Sequence, residues 1–117
     1  MTQQELFALA RSLGTVSYPF ESDPETAVFR HGERGRWFGV WLNVPGRYFG
    51  GQGSEFALNL KCPPELSAML RQNFAGILPA YHMNKTHWIT VRPALVPREE
   101  IEKFLRLSFD LTAPAKR

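Results

Sequence analysis

Residues 36–44 alternate with the period of two that an extended strand imposes. Phe38, Val40, Leu42 and Val44 fall on one face, and Trp37, Gly39, Trp41 and Asn43 on the other. Large apolar groups on both faces imply that both are partly covered. After a connection at 45–54 that holds Gly46, Gly50, Gly51 and Gly53 and has no apolar period, Phe56, Leu58 and Leu60 resume the alternation. Two strands joined by a long Gly-rich hairpin place an antiparallel pair at the centre of the chain.

Helical signals flank this pair. Thr2-x-x-Glu5 is a capping box, followed by Leu6, Leu9, Ala10 and Leu13 at helical spacing and by Gly14 as a stop. Short runs of β-formers at 16–20 and 27–31, separated by Pro19, Asp23 and Pro24, predict two more strands. Pro63 and Pro64 open a second helix with the stripe Leu66, Met69, Leu70 and Phe74, ending near Gly76 and Pro79. Residues 87–92 form a further strand, with Ile89 and Val91 opposite Trp88, Thr90 and Arg92. A last helix follows Pro97, with Glu99, Glu100 and Glu102 early, Lys103 and Arg106 late, and Ile101, Phe104, Leu105 and Ser108 inward. The predicted order is α-β-β-β-β-α-β-α, an α+β fold, in one domain over 1–112 with a short basic tail at 113–117.

Composition narrows the function classes. With 44% hydrophobic and 21% charged residues in 117, the chain has ordinary globular make-up and enough length for its own core. No run approaches a membrane span, and Glu5 stands where a signal peptide carries basic residues, so no membrane contact and a cytoplasmic location are expected. One cysteine, Cys62, has no disulfide partner, and three histidines are too few for a zinc-finger framework. Fourteen basic against eleven acidic residues leave a net charge of +3, which permits local contact with nucleic acid without announcing it. A monomer is the default expectation.

Three stretches carry a resemblance. Asn59-Leu60-Lys61-Cys62-Pro63, then 79–91 with Pro79-Ala80-Tyr81-His82-Met83-Asn84-Lys85-Thr86-His87-Trp88 at its heart, then Ser108-Phe109-Asp110-Leu111 are similar to the MmcQ/YjbR family of small bacterial proteins. Gly14-Thr15 and Pro19-Phe20 also fit, so the likeness runs from about residue 6 to residue 111. It implies a CyaY-like fold, an antiparallel sheet with helices on one face, and a "double wing" arrangement for which DNA binding has been proposed. It implies no enzymatic activity. The chain departs from the family pattern at Gly32-Glu33-Arg34-Gly35-Arg36, where a short Gly-Lys turn is usual, and in its enlarged loop at 45–54. Both departures fall in hairpin tips and bear on loop-borne function rather than on the fold.

The segment 81–88 is the densest polar and aromatic cluster. Lys85 can neutralise a phosphate, Asn84 can bond a base edge, Tyr81 and Trp88 can stack, and His82 and His87 add donors. The plainer reading is that His82 and Asn84 brace an irregular turn while Trp88 packs on the fold. Arg30, Arg34 and Arg36 flanking one hairpin tip and Arg47 at the other, with Lys61, Lys85 and Arg92, form a basic surface if the turns share one edge of the sheet. Tyr48 and Phe49 beside Arg47 suit an exposed wing, though solvated loop and surface charge is the simpler account.

The expected function is therefore a non-enzymatic binding protein that contacts DNA through its hairpin tips and 81–88. The alternative is a small-molecule or protein-interaction module that uses a Trp37/Trp41 face or a pocket near Tyr81. No cofactor or metal site is expected. The spacing of His82 and His87 is not that of a helical zinc pair, and the first helix has only Glu5 where an iron-binding surface needs several carboxylates. Cys62 paired with a histidine is the remaining route to catalysis, and a buried inert thiol is the commoner case.

Overall fold

The computed structural model describes residues 1–114. Helix α1 (Gln3–Leu13) leads into strands β1 (Thr15–Ser17), β2 (Ala27–Arg30) and β3 (Trp37–Pro45). A 3-10 turn, Gly46–Phe49, connects to β4 (Ser54–Lys61). Helix α2 (Pro64–Asn73), strands β5 (Ile77–Pro79) and β6 (Trp88–Val91), and helix α3 (Arg98–Thr112) complete the chain. The strands form one open sheet in the order β1-β2-β3-β4-β6-β5, every neighbouring pair antiparallel. Among the described residues no helix is long and apolar enough to cross a membrane. Of the tail expected at 113–117, residues 115–117, including Lys116 and Arg117, lie outside the described residues.

The α+β class with helices on one face stands, and the element order gains one strand. Gly76 and Pro79 signal only the end of α2, yet the three residues of β5 between them pair with β6 at the sheet edge. Three residues are too few to show a period, and proline is tolerated where no outer neighbour needs its missing N–H.

The capping box forms as expected: Thr2 Oγ1 accepts from the Glu5 N–H at 3.1 Å, and the Glu5 carboxylate accepts from the Thr2 N–H at 3.0 Å. Leu6 and Phe7 of α1, Leu70 of α2, and Ile101, Phe104 and Leu105 of α3 join one core with Phe29, Trp41, Leu58, Leu60, Ile89 and Val91 of the sheet. Fully buried side chains such as Leu6, Ile101 and Leu105 each contribute roughly 1.5–3 kcal/mol of burial free energy. His31 belongs to this architecture too, stacked on Phe109 at 4.1 Å with Nε2 2.8 Å from Thr112 Oγ1.

The alternation in β3 holds from Gly39 onward and breaks before it. Phe29 pairs with Gly39 but Arg30 pairs with Trp37, so Phe38 is the extra residue of a β-bulge. The bulge exchanges the faces of Trp37 and Phe38. Phe38 turns into the helix-side core, 5.0 Å edge-on to Phe109. Trp37 turns to the helix-free face and meets Phe20 at 6.2 Å. Trp41 stays on the helix side, stacked on Phe56 at 5.6 Å. A shared Trp37/Trp41 face therefore does not exist. Gly39 permits the crowding, because a Cβ there would lie 2.6 Å from the Phe29 ring.

Candidate functional site

The helix-free face of the sheet is covered by loops, and a buried polar network ties one of them down. Asn59 and Thr90 are cross-strand partners on β4 and β6, both wholly buried. Thr90 Oγ1 donates to Asn59 Oδ1 at 2.6 Å, Asn59 Nδ2 donates to the Tyr81 carbonyl at 2.8 Å, and the Tyr81 N–H donates to Thr90 Oγ1 at 2.9 Å. The loop of three bonds fixes the chain just after β5, where leaving such groups unpaired would cost about 1–3 kcal/mol each. Tyr48 adds a second clamp, its hydroxyl donating to the Pro79 carbonyl at 2.6 Å and its ring 5.1 Å from Tyr81. Burial pushes the Tyr48 hydroxyl pKa up, with the neighbouring Tyr81 adding to the rise.

Beyond that clamp the chain becomes exposed. His82 takes a left-handed backbone with φ 58°, uncommon for a residue with a Cβ, and its ring lies 4.0 Å from that of Tyr81. Asn84 braces the turn: its Oδ1 accepts the N–H groups of Thr86 at 2.9 Å and His87 at 3.0 Å, and its carbonyl accepts from the Trp88 N–H at 3.0 Å. The structural role weighed for Asn84 is thus the one its acceptor performs. The His82 side chain makes no hydrogen bond among the described residues. His82, Asn84, Lys85 and His87 are exposed, while Tyr81 and Trp88 are half-buried.

Strand pairing decides which cations meet. Arg30 pairs with Trp37, and Lys61 pairs with Trp88, so the 31–36 tip, the end of β4 and the start of β6 all lie at one end of four adjacent strands. At about 4.8 Å per strand these ends span roughly 15 Å. Arg34 and Arg36 are exposed there, Lys85 precedes β6, and Lys61 Nζ sits 5.8 Å over the Trp88 ring. Arg47 follows the opposite end of β3, nine residues or about 30 Å of extended chain away. The two hairpin tips therefore do not share an edge, and Arg47 is separated from the rest. Arg92 also leaves the set, held by Glu55 at 2.7 and 3.1 Å and lying 4.2 Å over Phe49. Among the described residues Arg34, Arg36, Lys61 and Lys85 enter no ion pair. Tyr48 and Phe49 do not form an exposed wing, because the 3-10 turn folds them back on the sheet.

Cys62 is 2% exposed, and burial raises its thiol pKa from 9.0 to about 11, so almost no thiolate is present near neutrality. Among the described residues no three His, Cys, Asp or Glu side chains gather as metal ligands.

A pocket of about 350 Å³ opens on the same helix-free face. Its floor is Trp37, Val40 and Leu42 of β3, one wall is Phe20 and Asp23 of the β1–β2 loop, and the other is His82 and Met83. Tyr81 itself does not line it; the adjoining His82 does. The sequence reading did not find its first wall, since Asp23 signalled only a turn and nothing local indicates that 18–26 folds back across the sheet.

A family model, YjbR, matches residues 12–111. The chain is 41% identical to the Bacillus subtilis protein YyaQ, over 96% of this chain and 98% of that one. It is 34% identical to Escherichia coli YbdF, over 90% of this chain and 78% of that one. Both relatives are described as uncharacterised. A crystal structure from Pseudomonas syringae superposes with TM-score 0.88 at 36% identity, covering 97% of this chain and all of the other. A Deinococcus radiodurans protein with a DUF419 domain superposes with TM-score 0.74 at 32% identity, covering 94% of this chain and 77% of the other.

Proposed function

The chain belongs to the YjbR family, and from that premise and the placement of its charges we propose a cytoplasmic binding protein without catalytic activity that holds DNA at one end of its sheet. The observation that carries this reading is the gathering of Arg34, Arg36, Lys61 and Lys85 at the ends of adjacent strands with no carboxylate paired to any of them among the described residues. Cations without partners keep their full attraction for phosphate, whereas Arg92, neutralised by Glu55, contributes little. The 31–36 tip serves as the wing, and His87, exposed two residues after Lys85, adds a donor beside it. The surface is small, so the complex is expected to be weak and strongly dependent on salt.

Four phosphate contacts predict a slope of log affinity against log salt of about −3.6, or a loss of about a hundredfold between roughly 50 and 200 mM salt. Fluorescence-anisotropy titration of labelled duplex and single-stranded DNA reads this directly. Lys85→Ala and Arg34→Ala should each reduce the slope by about one, and Arg47→Ala, at the far end of β3, should leave it unchanged. No binding at the lower salt, or equal sensitivity to Arg47→Ala and Lys85→Ala, overturns the proposal.

A further inference from the structure

We propose that the pocket between the β1–β2 loop and the 82–83 segment is a second binding site, and that it takes a small organic cation: an amine carried on a flat apolar body. At about 350 Å³ the pocket falls within the range of small-molecule sites, roughly 300–1,000 Å³. Its floor is apolar, with the indole of Trp37 flanked edge-on by Phe20 at 6.2 Å. Such a pair offers π faces to a flat ligand and to a cation alike.

The polar chemistry is one-sided. Asp23 lines the pocket, and no lysine or arginine does. Its carboxylate is held in place by the hydroxyl of buried Thr26, which donates to Oδ2 at 2.6 Å, while the loop backbone is closed by the Thr26 N–H on the Asp23 carbonyl at 3.2 Å. Oδ1 has no partner among the described residues and remains available to a donor. Glu21 and Glu25 on the same loop are exposed, and neither is in an ion pair among the described residues. Three carboxylates on this loop make it as unfavourable to phosphate as the basic strand ends are favourable. The site borders the DNA surface proposed above, since Trp37 opens β3 beside Arg36, but its own lining carries a carboxylate and no lysine or arginine, so the two readings can fail separately.

His82 closes the opposite wall from a left-handed backbone that costs conformational energy and needs the Tyr81 clamp to hold it. That wall is already set before any ligand arrives, so little ordering is needed on binding.

The test uses three probes that share one phenyl ring and differ in head group: 2-phenylethylamine, 2-phenylethanol and 3-phenylpropionate. Each is titrated into the 15N-labelled full chain while amide and indole shifts are followed by NMR. The amine is expected to saturate with a dissociation constant on the order of 1 mM, with shifts at Phe20, Asp23, the Trp37 indole and His82. The alcohol should bind about fivefold more weakly and the carboxylate more weakly still. Asp23→Asn keeps the acceptor for Thr26 and should remove the amine's advantage while leaving the alcohol unchanged. Trp37→Leu should weaken amine and alcohol together. Equal affinity for amine and carboxylate, an Asp23→Asn protein that still prefers the amine, shifts that map elsewhere, or no saturable binding would each overturn the assignment.

Discussion

Ser108 is the joint between α3 and the sheet, and removing its hydroxyl has a calculable consequence. The side chain is wholly buried. Its Oγ donates to the Phe38 carbonyl at 2.6 Å and accepts from the Lys61 N–H at 2.8 Å. Phe38 is the bulged residue of β3 and Lys61 the last of β4, so one hydroxyl serves two backbone groups where the bulge interrupts the ladder. Ser108→Ala preserves shape and leaves both groups without that partner. The buried carbonyl loses about 1–3 kcal/mol and the half-buried N–H about 0.5–1.5 kcal/mol, so the expected destabilisation is about 2–4 kcal/mol. For a domain of this size that corresponds to a fall in melting temperature on the order of 10 °C. Urea unfolding followed by tryptophan fluorescence measures it. Ser12→Ala is the control, because that hydroxyl bonds the Leu9 carbonyl on the exposed side of α1 and its loss should be close to neutral. A Ser108→Ala cost under about 1 kcal/mol at an unchanged denaturant slope would refute the premise that these groups depend on this hydroxyl.

Thr90→Val keeps the volume but strips the Tyr81 N–H of its acceptor and Asn59 Oδ1 of its donor. It should cost about 2–3 kcal/mol and raise amide exchange across 81–88, and unchanged protection of that segment by hydrogen-exchange mass spectrometry would count against the clamp. For Cys62 the folded-state pKa is raised to about 11 from 9.0, so the native state binds the thiol proton more tightly than the unfolded state does. Its stabilising contribution is complete below pH 9 and is lost as pH rises toward 11. The stability difference between the native chain and Cys62→Ala should accordingly shrink over that interval in chemical denaturation, and a flat difference would mean that the thiol is solvated.

Local chemistry made most of the elements legible in the sequence alone. The Thr2–Glu5 box, the alternation from Gly39 to Val44 and the prolines opening α2 and α3 act within a few residues of one another, so their outcome needs no partner from elsewhere in the chain. The same holds for Asn84, whose acceptor bonds lie within three residues. The motifs at 59–63, 79–91 and 108–111 were visible as motifs, but their physical meaning was not. Asn59, Tyr81 and Thr90 are one hydrogen-bonded unit, and Lys61 meets Ser108, only because β4, β6 and α3 come together.

Tertiary structure alone decided three things. The bulge at Phe38, set by pairing with Phe29 and Arg30, sent the two tryptophans of β3 to opposite faces. The edge position of β5 made a strand of three residues that have no period of their own. The antiparallel register put Arg34, Arg36, Lys61 and Lys85 at one end and Arg47 at the other, and laid the 18–26 loop over β3 to form a pocket. Each depends on residues distant in the chain, and their contact free energy exists only after the sheet has closed, which is why no local pattern encodes it.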